Sequence, residues 1–77
     1  MKVQIKLSSE ELEMVKSVIR KRDTKEFFLK VGNNRTTLRL LISIKEGQYF
    51  YRAYIHPIGS VELPQVEDLI KDYNSKN

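Results

Sequence analysis

Residues 26–56 read EFFLKVGNNRTTLRLLISIKEGQYFYRAYIH, and their reading decides the fold. Phe27, Leu29 and Val31 alternate with Glu26, Phe28 and Lys30. Leu38, Leu40, Ile42 and Ile44 then alternate with Arg39, Leu41, Ser43 and Lys45, and Tyr49, Tyr51, Ala53 and Ile55 with Gln48, Phe50, Arg52 and Tyr54. A period of two is the mark of strands with one face turned inward. Gly32-Asn33-Asn34 and Glu46-Gly47 separate the three runs with residues that tolerate the positive φ of tight hairpins. A two-residue loop at Glu46-Gly47 sets Ile44 against Tyr49, Ile42 against Tyr51, Leu40 against Ala53 and Leu38 against Ile55. A two-residue loop at Asn33-Asn34 sets Leu29 against Leu38 and Phe27 against Leu40. Both registers gather the same apolar set on one face, and a slip of one residue in either destroys the agreement.

Outward from this sheet the period changes. Ser8-Ser9-Glu10-Glu11 offers an S-x-x-E capping box, followed by Leu12, Met14, Val15, Val18 and Ile19 at helical spacing. Glutamates fill the first turn of that helix, and Arg20-Lys21-Arg22 its last, which suits the helix dipole. Pro64 suits a first helical position, and Val66, Leu69, Ile70 and Tyr73 form the stripe of a second helix. Residues 2–7 alternate Val3, Ile5 and Leu7 with Lys2, Gln4 and Lys6 and predict a half-buried strand. Pro57 and Gly59 are expected to end the last strand, and residues 74–77 to fray. The resulting order is β-α-β-β-β-α: an α+β fold, with an antiparallel sheet of three to four strands and two helices on one face, in a single small domain spanning 1–77.

Composition narrows the function classes. Seventy-seven residues leave room for one small domain. The absence of cysteine excludes disulfides, a thiolate nucleophile and Cys-ligated zinc, and a single histidine excludes a multi-His metal site. No apolar run approaches the ~20 residues of a membrane span, and the alternating start does not read as a signal peptide, so a cytoplasmic protein without membrane contact is expected. His56, before Pro57, has no indicated nucleophile or orienting partner. The three glycines are isolated turn residues and form no phosphate cradle. No enzymatic activity, cofactor or metal is expected.

Charge is unevenly placed. Residues 16–56 hold ten basic side chains against three acidic ones, whereas both ends are acidic. The registers put Phe28, Arg39 and Tyr54 side by side on the face opposite the apolar set, with Glu26, Leu41 and Arg52 in the next row, Ser43 against Phe50 beyond it, and Lys30 with Thr37 at the other end. Rings interleaved with cations suit single-stranded nucleic acid, where rings stack on bases and cations meet phosphates. The same pattern also describes a solvated structural face whose Arg39 makes cation–π contacts, or a face that a helix covers. The run Lys16, Arg20, Lys21, Arg22 and Lys25 is a second candidate surface, and its plain reading is a solvated helix face.

The helix–three-strand–helix order from Ser8 to Asn74 is similar to that of double-stranded-RNA-binding domains. Those open their last helix on lysines, where this chain has Pro64-Gln65-Val66-Glu67-Asp68. The segment Gly47-Gln48-Tyr49-Phe50-Tyr51-Arg52 is similar to a strand in the three-stranded DNA-binding sheets of integrase N-terminal domains, but it lies after the second strand instead of the first. Neither similarity assigns a family. A small chain rich in Lys, Ile and Tyr also resembles accessory proteins of AT-rich bacteria, their phages and mobile elements, which often block host enzymes.

Two functions from different classes follow. One is a non-enzymatic module that binds nucleic acid, with little base specificity, through Lys16, Arg20, Lys21, Arg22, Lys25, Phe28, Lys30, Arg39, Phe50, Arg52 and Tyr54. The other is a protein-binding regulator or inhibitor acting on an acidic or nucleic-acid-handling host protein, such as a defence nuclease. An unpaired edge at residues 2–7 or 48–56 would allow a homodimer.

Overall fold

The first helix, α1 (Ser9–Arg20), opens as the S-x-x-E spacing requires. In the computed structural model, which describes residues 3–32 and 35–76, Ser8 Oγ accepts from the Glu11 N–H at 3.2 Å, and the Ser8 N–H donates to Glu11 Oε1 at 2.8 Å. Two otherwise orphaned donors are thus satisfied reciprocally. The helix closes with the Arg22 N–H on the Ile19 carbonyl and the Asp23 N–H on the Val18 carbonyl. Arg22 takes φ 55° at the position where such closures favour glycine.

Four antiparallel strands follow in spatial order: β1 (Lys25–Val31), β2 (Thr36–Lys45), β3 (Gln48–Ile55) and β4 (Gly59–Ser60). Both hairpin registers agree with the sequence reading, with Phe28 beside Arg39, Arg39 beside Tyr54, Leu40 beside Ala53 and Ile42 beside Tyr51. Glu46 (φ 53°) and Gly47 (φ 78°) make the two-residue turn between β2 and β3. The connection from β1 to β2 is longer than the expected two residues. The strands stop at Val31 and resume at Thr36, with the Arg35 N–H on the Gly32 carbonyl at 3.2 Å. Asn33 and Asn34, on which that expectation fell, lie outside the described residues.

The edges differ most from the sequence reading. After β3 the chain reverses through residues 56–58 and returns as β4, so the fourth strand is Gly59–Ser60, not residues 2–7. Lys2 lies outside the described residues, and among those described the N-terminal segment makes one parallel bridge, Gln4 to Glu62. There the Ile5 N–H donates to the Glu62 carbonyl at 2.9 Å and the Glu62 N–H to the Val3 carbonyl at 2.8 Å. A strand extends no further than its partner, and this partner enters α2 (Pro64–Lys76) two residues later. Nor does α2 fray at Asn74: its side chain accepts from the Tyr49 N–H at 2.9 Å and donates to the Tyr49 carbonyl at 3.2 Å. The amide thereby substitutes for a neighbouring strand at the start of β3. The edge of β3 is covered at several points, since its Ala53 carbonyl also receives the Val61 N–H at 3.0 Å.

The core lies on one face of the sheet. Phe27, Leu38, Leu40, Ile42, Tyr49, Ala53 and Ile55 are buried there against Val15, Val18 and Ile19 of α1 and Val66 and Ile70 of α2. Leu7, Val61 and Leu63 close it from the connecting segments. Met14, counted in the α1 stripe, is instead 44% exposed. Tyr49 joins the sheet to both helices. Its hydroxyl donates toward the Asp23 and Val18 carbonyls (2.8 and 3.2 Å), and its ring meets Tyr73 edge-on at 5.0 Å. Burial pushes its phenol pKa up, with Tyr73 and Asp23 adding to the rise.

Candidate functional site

Alternation that sends one set of side chains into the core must send the other set out. The outer face carries Glu26, Phe28 and Lys30 on β1, Arg39, Leu41 and Ser43 on β2, and Phe50, Arg52 and Tyr54 on β3. Neither helix crosses to this side. Phe28 is 64% exposed, Phe50 55% and Tyr54 46%. The sequence alternative in which a helix covers these rings is therefore excluded.

Strands lie about 4.8 Å apart, so Phe28 and Tyr54 flank Arg39 at about 10 Å from one another. Arg52 lies between Phe50 and Tyr54 along β3, about 7 Å from each. Arg39 does not fold onto either ring: its Nε donates to Glu26 Oε2 at 2.7 Å across the hairpin. Both groups are solvent-accessible, so this ion pair stabilises by no more than about 1 kcal/mol. Its main effect is to hold the guanidinium in place. Lys30 Nζ donates to Thr37 Oγ1 at 2.6 Å at the far end. With Lys45 at the hairpin tip, the face holds four cations (Lys30, Arg39, Lys45, Arg52) against Glu26.

An open depression of about 1090 Å³ starts at Glu26, Arg39 and Arg52, passes Ser60 and reaches Glu62 and Glu67. Its acidic end was not visible in the sequence, because nothing in Ile58-Gly59-Ser60-Val61 announces a strand that carries Glu62 to that edge. Tyr51 lies there too, with its hydroxyl accepting from the Leu63 N–H at 3.2 Å. Burial raises its pKa, and the carboxylates of Glu67 and Glu62 push the same way.

The candidate residues from the sequence fall into two groups. Phe28, Lys30, Arg39, Phe50, Arg52 and Tyr54 share the outer face. Lys16, Arg20, Lys21 and Arg22 belong to α1 and its C-terminal closure, in the helical layer behind the sheet. Lys16 pairs with Glu13 at 3.6 Å. Lys25 shares the strand parity of the core face and sets its Nζ 5.3 Å from the centre of the Phe27 ring.

Among the described residues no three His, Asp or Glu side chains gather as a metal site, and no helix is long and apolar enough to cross a membrane. These features define the class: an α+β protein with two helices behind an open four-stranded antiparallel sheet whose free face is basic and aromatic. Compared with protein-family models, curated proteins and solved structures, the chain matches none of them.

Proposed function

We propose that this chain is a small, non-enzymatic, cytoplasmic module that binds single-stranded nucleic acid on its outer sheet face, with little base specificity. One observation carries the reading: Phe28, Phe50 and Tyr54 stay exposed on an uncovered sheet, interleaved with Arg39 and Arg52. Single exposed rings are ordinary, but three on one face form a patch that favours contact with a partner. Cations spaced between the rings select a partner with both flat faces and negative charge. Bases stack on Phe28, Tyr54 and Phe50, while Arg39, Arg52 and Lys30 meet phosphates. The cations of α1 lie behind the sheet and add to the long-range positive field that attracts a polyanion.

The test is a salt titration of affinity for a labelled single-stranded oligonucleotide, paired with a urea melt. Arg39→Ala should weaken binding by roughly 1–3 kcal/mol and flatten the log–log salt slope by about 0.7. It should change folding stability by less than about 1 kcal/mol, because its ion pair is exposed. Unchanged affinity with a large loss of stability would make Arg39 a structural residue. Absence of oligonucleotide binding by the wild type would overturn the reading. The face would then fall to a protein partner, as expected for a regulator or inhibitor of a nucleic-acid-handling host protein.

A further inference from the structure

Hydrogen-bond parity identifies which backbone groups of β1 face the outer edge of this sheet. The Tyr49 N–H and C=O turn to Asn74, and the Ala53 C=O turns to Val61, so the odd residues of β3 point away from β2. Even residues of β3 therefore bond the odd residues of β2, and even residues of β2 bond the odd residues of β1. The opposite end of the sheet is the outer edge of β1, where Glu26, Phe28 and Lys30 direct their N–H and C=O groups outward. The strand is seven residues long and is the terminal strand of the sheet. An uncovered edge of this length is a template for another strand.

The sequence of β1 is complementary to itself. In an antiparallel pair of two β1 strands centred on Phe28, Glu26 of each copy faces Lys30 of the other. Phe27 faces Leu29 on the helix-bearing side, and Phe28 faces Phe28 on the outer side. Moving the centre to Phe27 opposes Glu26 to Phe28, and moving it to Leu29 opposes Lys30 to Phe28; both leave strand ends unpaired. A shift of one residue would set inward side chains against outward ones. Only the register centred on Phe28 pairs all seven residues and opposes unlike charges twice. It also uses the outward groups of Glu26, Phe28 and Lys30 for six backbone hydrogen bonds. Leu29 and Val31, half-buried at this edge, gain cover from the second copy.

We infer that β1 is a homodimerisation edge, joining two copies about a two-fold axis at Phe28 into one continuous eight-stranded sheet. Such an isologous contact closes on itself and does not propagate into fibres. Both helical layers then lie on one side and both outer faces on the other.

Sedimentation equilibrium tests this in the absence of nucleic acid, so its outcome is separate from that of the oligonucleotide assay. The wild type should shift from 9.1 kDa towards twice that mass as its concentration rises. Glu26→Lys and Lys30→Glu should each weaken the dimer at least about tenfold, because each sets like charges opposite one another twice. An equimolar mixture of the two variants should recover association, since opposite charges then meet at both positions. Hydrogen exchange on the unmodified chain gives an independent readout: protection of the Glu26, Phe28 and Lys30 amides should increase with concentration. A wild type that stays monomeric up to about 1 mM, far above what a specific interface requires, would overturn the proposal. So would a dimer that both variants leave intact, a mixture that does not recover, or exchange at those amides that ignores concentration.

Discussion

Tyr49 and Phe50 are neighbours in the chain and of similar size, yet Tyr49 is 1% exposed and Phe50 is 55% exposed. Both belong to β3, and both stand opposite a β2 residue, Ile44 and Ser43. What separates them is the side of the sheet on which the helices lie. Tyr49 meets α1 through its hydroxyl, α2 through Tyr73, and the Asn74 amide through its own backbone. Phe50 meets the outer face and solvent. The pleat therefore sorts residues into two sets without deciding what either set does. One set was given two helix stripes to pack against, and the other was left free to contact a partner.

Breaking the inner set should have the largest effect. Leu40 is fully buried beneath the helices, so Leu40→Ala should lose roughly 2–5 kcal/mol in a urea melt. A loss under about 0.5 kcal/mol would mean that the inner face is not the packed one. Asn74→Ala should cost about 1–3 kcal/mol, because it removes two hydrogen bonds and leaves the half-buried Tyr49 backbone groups without partners. The same melt checks this, and an unchanged midpoint would show that water replaces the amide freely.

Alkaline pH sharpens the comparison without a substitution. The phenols of Tyr49 and Tyr51 titrate higher in the folded chain than their ordinary value of 10.0. Their contribution to stability is thus complete below about pH 10 and is lost as pH rises through the folded values. Tyr49→Phe should remove part of that alkaline loss, as followed by melts across the range. The smallest effect belongs to the outer face: Phe50→Ala should change stability by less than about 0.5 kcal/mol, as surface substitutions do. The same variant should weaken oligonucleotide binding by about 1–3 kcal/mol, measured by titration. A stability loss as large as that of Leu40→Ala would erase the distinction between the two faces.

Legibility of the site followed the same division. The row Phe28–Arg39–Tyr54 was readable because alternation and a two-residue turn at Glu46-Gly47 fix which residues lie side by side. The ion pair of Arg39 with Glu26 was not, since it runs diagonally between rows and depends on side-chain rotamers. Lys16, Arg20, Lys21 and Arg22, a second candidate surface, are named from charge along the chain alone. Charge along the chain says nothing about which layer a helix occupies.

By itself, the sequence determined the strands β1 to β3, their registers, both helices and the Ser8–Glu11 cap, because each depends on interactions between residues close in the chain or on a strict period of two. Only the tertiary structure decided the edges. Gly59–Ser60 becomes a strand because the turn at residues 56–58 lays it against Tyr54 and Ile55. Residues 3–7 fall short of one because their partner enters a helix after Leu63. Asn74 closes the start of β3 because α2 packs across it, while β1 stays a terminal strand of the sheet. Backbone groups at a sheet edge bond whatever is brought beside them, and that depends on contacts between segments distant in the chain, which local pattern does not encode.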